Sequence, residues 1–295
     1  MWAVMTVVFF LMRISGDPID LIFAGDPRPE RIEEAEALRR DLGLDRPVHI
    51  QYVDYLTDVL ILDFGESIVQ NRSVTQMMRE KLPATLELTI TAFILSYVIA
   101  IPVGVFIALR KNSGIDYGIQ IIAMIGVSIP SFWLGILLIL FFAVRLEWLP
   151  ALAVGGDGIE YLILPALTIA IPRISFMARF VRGTMLDVLN QDYLRTAYSK
   201  GLRNRQVIYR HGLRNALIPI ITVAGVQLGY LVSGSVIIER VFGIQGIGDM
   251  LVDSISGRDF PVTQATVLVV ALSIVLMNLL VDILYVYIDP RLRTE

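Results

Sequence analysis

Long apolar blocks separated by shorter polar stretches run along most of this 295-residue chain. A helix needs about 20 apolar residues to cross the hydrocarbon of a bilayer. Five blocks reach that length and predict membrane-spanning helices, at about residues 85–109, 118–144, 161–178, 216–238 and 265–288. The pattern predicts an all-α polytopic membrane protein whose transmembrane core covers residues 85–288.

The first apolar block, residues 1–12, has only about half the length of a span. It lacks the basic start and the small-residue cleavage site of a signal peptide. We interpret it as a truncated first transmembrane helix, with a re-entrant or tilted short helix as the alternative. With this block the chain has about six spans.

The segment between the first two spans, residues 13–84, is long and acidic. Residues 28–42 and 48–60 carry apolar positions at helical spacing and predict two amphipathic helices. Two interpretations stay open for this extracytoplasmic segment. It is either a folded helical cap with only a structural role or a lip that meets a ligand-delivery protein.

Lysine and arginine are concentrated on one side of the predicted spans. The 179–215 loop contains eight basic residues, namely Arg179, Arg182, Arg195, Lys200, Arg203, Arg205, Arg210 and Arg214, against Asp187 and Asp192. Short loops rich in these residues face the cytoplasm. We therefore expect loops 110–117 and 179–215 and the tail 289–295 to be cytoplasmic in a cell-membrane protein.

The composition agrees with a membrane protein and excludes several other functions. The chain is 55% hydrophobic and 18% charged, and its mean hydropathy is +0.67. A net charge of −3 gives no reason to expect nucleic acid as a partner. With no cysteine and two isolated histidines, we predict no catalytic residue, no metal site and no cofactor site, and hence no enzyme.

A glycine-rich stretch follows the fourth long span, at Gly243-Ile-Gln-Gly246-Ile-Gly248. It lacks the Gly-Lys-Ser/Thr sequence of a phosphate-binding loop. We interpret it as a turn or gate at the outer mouth, with Phe242, Gly243, Gly246 and Gly248 as the candidate residues.

Small residues four positions apart occur in two spans. They form Gly225-x-x-x-Gly229-x-x-x-Ser233 and Ala100-x-x-x-Gly104-x-x-x-Ala108. Such spacing lets another helix approach closely, either from the same chain or from a partner. Predicted spans contain proline at positions that include Pro102, Pro130, Pro165 and Pro172, which predicts either ordinary irregularity or hinges.

The basic loop predicts its own local structure. Residues 192–199 favour a short helix with Asp192 near its N-terminus, and Gly201 allows a left-handed stop. Asn204 is then the expected N-cap of the next helix. In the projecting helix–turn–helix, Tyr193, Leu194 and Tyr198 would fill a partner's hydrophobic cleft, and Ala197 and Gly201 would leave room for it. The alternative is a topology signal that binds anionic lipid.

Sequence blocks throughout the chain carry a family resemblance. They are Ser15-Gly-Asp-Pro18, Ser128-Ile-Pro-Ser-Phe-Trp-Leu-Gly135, Trp148-Leu-Pro150, Leu164-Pro-Ala-Leu167, Gln191-Asp-Tyr-Leu-Arg-Thr-Ala197 with Lys200-Gly-Leu202, residues 211–219, Val241-Phe-Gly243, Arg258-Asp-Phe-Pro261 and Asp289-Pro-Arg291. Together they resemble permease subunits of the dipeptide/oligopeptide/nickel-type ABC importers. The chain has Arg195-Thr-Ala197 where importers in general have Glu-Ala-Ala, and Gln245 where this family often has proline.

The resemblance implies a transport subunit without ATPase activity of its own. Its implied partners are a homologous second permease, two ATP-binding subunits that hold ATP and Mg, an extracytoplasmic solute-binding protein and the lipid bilayer. The implied cargo is a di- or oligopeptide or a related solute, such as glutathione, a nickel complex or a sugar. The residues implied to couple the chain to the ATPase are Tyr193, Leu194, Arg195, Thr196, Ala197, Lys200, Gly201, Leu202 and Arg203.

The competing hypothesis is a secondary transporter that is driven by an ion gradient. That function requires inward-facing acidic residues in the spans and usually a repeat symmetry. Asp282 is an example of such an acid within a predicted span, and the sequence shows no convincing repeat. A long basic loop would also have no role in such a transporter.

Overall fold

The computed structural model describes residues 2–14, 16, 19, 29–41, 43–153, 158–229 and 231–288. These residues form helices, apart from turns and one isolated bridge between Glu66 and Ser73. The helices are α1 (Trp2–Ile14), α2 (Pro29–Asp41), α3 (Val48–Leu60), α4 (Val74–Leu109), α5 (Gly114–Ser128), α6 (Ser131–Leu138), α7 (Glu160–Leu189), α8 (Asp192–Ser199), α9 (Asn204–Gln206), α10 (Arg214–Gly229), α11 (Leu231–Phe242), α12 (Ile247–Ser256) and α13 (Phe260–Ile288). Two π-helical segments, Ile139–Arg145 and Val207–Leu213, follow α6 and α9.

Three described helices are long and apolar enough to cross a membrane, namely α4, α7 and the described part of α13 up to Leu280. The pair formed by α5 and the helix Ser131–Arg145 reaches the same criterion as one bent span. Helix α1 is apolar but short, and the predicted span 216–238 includes Tyr230, which lies outside the described residues. The all-α membrane fold is confirmed, and the count of six spans stays a prediction.

Two spans are longer than the apolar pattern predicted. Helix α4 begins at Val74 rather than near residue 85, and α7 continues to Leu189 rather than ending near residue 178. The added turns contain charged residues such as Glu80 and Arg182, which favour helix as well as leucine does. A search for apolar residues finds only the part of a helix that lies in lipid.

The prolines have different effects at different positions. Pro165 and Pro172 lie inside the continuous helix α7. At Pro130, in contrast, the chain bends by 105° between α5 and the following helix. Ile129 still donates its backbone N–H to the carbonyl of Ile125 at 3.2 Å, and the Pro130 carbonyl accepts from Leu134 at 3.0 Å. Of Pro130, Pro165 and Pro172, only Pro130 therefore marks a sharp break in a helix.

The chain divides into two compact units, and the first comprises Met1–Thr85 with Gln245–Ser273. In this unit α1 and α3 pack through aromatic rings, because Phe9 lies 5.2 Å from Tyr52 and 5.5 Å from Tyr55. A second apolar cluster joins α4, α12 and α13. Its buried members are Val74, Met77, Met78, Ile247, Met250, Val262 and Ala265.

The second unit comprises Leu86–Ile244 with Ile274–Glu295. Its core consists of α4, α7, the π-helical segment after α9 and α10. The buried members are Ala100, Val105, Ala108, Met177, Ala178, Val181, Met185, Ile208, Ala216 and Ile220. This cluster extends to the last turns of α7, which include residues 179–189 of the predicted loop, and α8 begins directly beyond them.

Candidate coupling site

Helix α8 is attached to the rest of its own chain by one buried face. Leu194 and Ala197 are buried with Val207, and Val188 and Leu189 from the end of α7 pack against them. This corrects the expectation that Leu194 fills a partner's cleft and that Ala197 leaves room for a partner. Their spacing of three residues places both side chains on the inner face of α8, so they hold the helix on its base.

The opposite face of α8 and the turn after it are exposed. Tyr193 and Tyr198 expose 42% and 44% of their surface, and Leu202 exposes 37%. These large apolar side chains are flanked by exposed Arg195, Thr196, Lys200, Gly201 and Arg203. The predicted coupling residues other than Leu194 and Ala197 therefore lie on one accessible projection, which we call the elbow (residues 192–203).

Hydrogen bonds position both tyrosine rings of the elbow. The Tyr193 hydroxyl accepts from Nδ2 of Asn215 at 3.1 Å, and the same amide group donates to the His211 carbonyl at 2.8 Å. The Tyr198 hydroxyl donates to Oδ1 of Asn204 at 2.8 Å. The rings are exposed but already oriented. Binding at this surface would therefore cost less side-chain conformational entropy.

The turn after α8 has the predicted left-handed geometry. Gly201 has φ +78°, and its N–H donates to the Tyr198 carbonyl at 2.9 Å. A Cβ at this position would have no atom within 4 Å. The N-cap prediction is wrong by one residue, because Arg203 with extended backbone is the N-cap and Asn204 is the first helical residue. The Asn204 side chain instead holds Tyr198.

Charge on residues 192–214 is largely unneutralised by the residues that the structure describes. All residues from 192 to 214 are described, and among them the only ion pair joins Arg195 to Asp192 at 3.5 Å. Both side chains are exposed, so this pair contributes little to stability. The remaining basic groups form a rim that suits an acidic partner surface.

An ion pair that the sequence analysis missed joins α5 to α7 near the base of the elbow. Arg182 donates from Nε to Oδ1 of Asp116 at 2.7 Å and from Nη2 to Oδ2 at 2.6 Å. Asp116 also accepts from the backbone of Asn112 and from the side chain of Gln120. The sequence does contain a signal for the start of α5, because Ser113 caps this helix by accepting the N–H of Asp116 three residues later. That signal places Asp116 in the first turn of α5 but does not identify Arg182 as its partner.

The candidate residues of the outer mouth are mainly buried turn residues. In the second unit, Phe242 is buried, and its backbone carbonyl accepts from Ala153 at 2.8 Å. Gly243 follows with φ +67°. In the first unit, Gly246 is the N-cap of α12, and Gly248 lies buried in its first turn. Their role as a gate stays a prediction.

The two small-residue patterns have different outcomes. Ala100 and Ala108 are buried in the core of the second unit, and a Cβ on Gly104 would lie 2.5 Å from that of Val181. Helices α4 and α7 of the same chain therefore use this pattern for close packing. In the other pattern Gly225 lies in α10, and the packing around Gly229 and Ser233 lies outside what the structure describes.

The membrane helices, the anchored elbow and its exposed basic surface define a permease subunit of an ABC importer. Residues 100–294 match the family "Binding-protein-dependent transport system inner membrane component", and residues 1–89 match the N-terminal domain that accompanies it. The chain belongs to this family. The family and the curated relatives are membrane components of transport systems, so this chain is a transport subunit.

Curated relatives are similar over nearly their whole length. The glutathione transport system permease protein GsiC of Salmonella choleraesuis (strain SC-B67) is 44% identical over 288 residues, which cover 97% of this chain and 92% of that protein. GsiC of Escherichia coli (strain K12) is 41% identical over 287 residues, with the same coverage.

Solved structures support the fold. A chain of the MetNI methionine ABC transporter in an inward-facing conformation has a TM-score of 0.62 and 20% identity, covering 72% of this chain and 97% of its own length. A chain of an amino acid ABC transporter with histidines has a TM-score of 0.55 and 18% identity, covering 72% and 94%.

Proposed function

We propose that this chain forms half of the translocation path of an ABC importer for di- or oligopeptides or a related small solute. A homologous permease would form the other half, and two ATP-binding subunits would hydrolyse ATP beneath them. A solute-binding protein would deliver the cargo from outside. The observation that carries the proposal is the elbow, an exposed tyrosine-bearing helix fixed to its own chain by Leu194 and Ala197.

The elbow has the mechanical properties that coupling requires. Its inner face packs on Val188 and Leu189 at the end of α7, and α7 continues as one helix from Glu160. A force applied to Tyr193 or Tyr198 would therefore reach the membrane through packed side chains instead of a loose loop. Closure of the ATPase pair would move the elbow and shift the spans between two arrangements.

The orientation follows from the same proposal. The elbow would face the cytoplasm, where ATP-binding subunits are, and the tail from residue 289 would lie on that side too. The basic residues of the elbow agree with the positive-inside rule. The first apolar helix would cross the membrane, and the segment 13–84 would lie on the external side.

Peptides are the cargo class that the relatives favour. Two relatives are named as glutathione transport permeases, and glutathione is a tripeptide. The similarity extends over 97% of this chain. We therefore propose a short peptide or peptide-like molecule as the transported solute.

The test is reconstitution. The chain would be co-expressed with its genomic neighbours, purified through a tag on this chain and inserted into liposomes. We expect an ATP-binding subunit and a second permease to co-purify, and labelled glutathione or tri-alanine to enter only with ATP. Uptake that follows an imposed ion gradient without ATP would contradict the proposal and support the secondary transporter instead.

A further inference from the structure

One arginine lies deep within a membrane helix. Arg173 is in α7, nine residues before Arg182, so it lies about 14 Å further along the helix axis from the basic loop. A charge at this depth is costly, and such residues usually face a protein interior or a water-filled path. Arg173 is half-buried, which is compatible with either location.

The contacts of Arg173 do not account for its charge. Its Nη1 atom is shielded from solvent and has no hydrogen-bond partner. Among the side chains that the structure describes, no carboxylate lies within 4.0 Å of its guanidinium. Arg182 shows the contrast, because it makes two short hydrogen bonds to Asp116.

Tyr97 of α4 also has a buried polar atom without a hydrogen-bond partner. Its hydroxyl is buried and has no hydrogen-bond partner, and it interacts electrostatically with Arg173. The ring is fixed by Phe93, whose centroid lies 4.5 Å away, and it packs on the core cluster that also receives Ile174. The guanidinium of Arg173 and the phenol hydroxyl of Tyr97 therefore each have a shielded donor group without a hydrogen-bond partner.

We propose that Arg173 and Tyr97 form an anion subsite that binds the carboxylate of the cargo during its passage. This inference rests on the proposed function and specifies it, because it requires a cargo that carries a free carboxylate. The guanidinium offers parallel N–H groups that match the two oxygens of a carboxylate. The phenol hydroxyl adds a neutral donor to the same ligand.

A cargo carboxylate explains the site better than a resident acid does. The resident acid Asp116 is fully buried and accepts from Arg182, Asn112 and Gln120, so its pair is closed and permanent. Arg173 is half-buried and has unused donors. A transport site has to bind and release its ligand, and therefore it has to be unsatisfied between the two events.

The experiment compares carboxylate and amide forms of one cargo in the complete importer. ATP-dependent uptake into liposomes would be measured for glutathione and its glycine amide, and for tri-alanine and tri-alanine amide. The variants are Arg173→Gln, Arg173→Lys and Tyr97→Phe. Arg179→Gln is the matched control, because Arg179 is exposed on the same helix. The solute-binding protein is unchanged throughout, so its own preference cancels when variants are compared with wild type.

We expect Arg173→Gln to lower uptake of the carboxylate form about 10-fold and uptake of the amide less than 2-fold, because a lost charge–carboxylate interaction costs at least that factor. Arg173→Lys should retain part of the preference, and Tyr97→Phe should lower it by about 2- to 5-fold. Arg179→Gln should leave the ratio unchanged. If Arg173→Gln does not assemble, the carboxylate-to-amide ratio of Arg173→Lys decides the question.

An equal loss for both forms in an assembled complex would overturn the subsite and indicate an acidic partner on the second permease. Unchanged uptake of both forms would overturn it as well. Failure of the proposed function gives a different result, because the wild-type complex would then transport neither peptide with ATP.

Discussion

Arg182 binds both carboxylate oxygens of Asp116 and thereby ties the start of α5 to the C-terminal half of α7. The carboxylate is fully buried and the arginine exposes 18% of its side chain. Removing either partner leaves the other group desolvated without a counter-charge, which is more harmful than losing both. The pair therefore keeps the base of the elbow in a fixed position.

For this pair we expect Arg182→Met and Asp116→Asn each to destabilise the purified chain by about 2 kcal/mol. The double variant should lose clearly less than the sum of the two single losses. Thermal unfolding in detergent measures these values as a double-mutant cycle. Strictly additive losses would show that the two groups do not interact.

A second anchor lies in the first unit, where Asp259 holds a distant loop. Its carboxylate accepts from the Ser67 hydroxyl and from the backbone N–H groups of Ile68 and Val69. We expect Asp259→Ala to cost about 2 kcal/mol, because three donors lose one acceptor. Limited proteolysis should then cut the loop 61–73 faster. Asp45→Ala, at an exposed position, is the control, and equal cleavage in both variants would contradict the anchor.

The close approach of α4 and α7 makes Gly104 irreplaceable. A methyl group there would lie 2.5 Å from Cβ of Val181 and 2.7 Å from the carbonyl oxygen of Ala178. Since a backbone atom cannot move aside alone, we expect Gly104→Ala to destabilise the chain by about 1–3 kcal/mol. Gly118→Ala should have no such effect, because nothing lies within 4 Å of that position. Differential scanning fluorimetry compares the two variants.

The elbow gives a test of coupling that is separate from folding. A side chain at Gly201 meets no atom of this chain, and asparagine tolerates left-handed backbone. We expect Gly201→Asn and Gly201→Asp to insert and fold normally, while stimulated ATPase activity and transport fall at least 10-fold for aspartate. The aspartate adds bulk and negative charge to a basic contact surface.

The control for this prediction is Gly65→Asn, which introduces a side chain at another left-handed glycine with open space around it. It should leave stimulated ATPase activity close to wild type. Normal transport by Gly201→Asp would show that the elbow does not contact the ATPase.

Asp58 predicts a pH dependence of stability. It lines a cavity of about 490 Å³ in the first unit together with Asp54 and Asp63. Burial raises the pKa of Asp58, and the charges of Asp63 and Asp54 raise it further. The stability that this group contributes is therefore complete below the unfolded pKa of about 4 and is lost as the pH rises through the folded value.

We therefore expect Asp58→Asn to raise the unfolding temperature at pH 7 and to lose this advantage below about pH 4. In an Asp63→Asn background the gain at pH 7 should shrink, because one of the repelling charges is gone. A gain that is the same at both pH values would contradict the explanation.

Patterns of apolar residues predicted the membrane helices α4, α7 and α13, since burial in lipid imposes a composition on a long stretch. They also predicted two amphipathic helices before α4. Helices α2 and α3 occupy Pro29–Asp41 and Val48–Leu60, close to the predicted 28–42 and 48–60. Helix ends were predicted less well, because the polar turns of α4 and α7 carry no apolar signal.

Within the elbow, the sequence predicted the helix 192–199 and the left-handed Gly201, because both depend on local residues. It did not predict which side of α8 is buried. Leu194 and Tyr193 are adjacent apolar residues, and only the position of Val188, Leu189 and Val207 decides that Leu194 points inward. The pair Asp116–Arg182 was missed for the same reason, since 66 residues separate its partners.

The 105° bend at Pro130 also limits which amino acids position 130 tolerates. A sharp corner of backbone inside hydrocarbon is tolerable only if it introduces no amide hydrogen that lacks an acceptor. Proline has none to introduce, and the N–H groups of Ile129 and Leu134 keep their hydrogen bonds on either side of the corner. Any other amino acid would bring an amide hydrogen to the bend. The geometry of this span therefore depends on proline, which has no backbone N–H to donate.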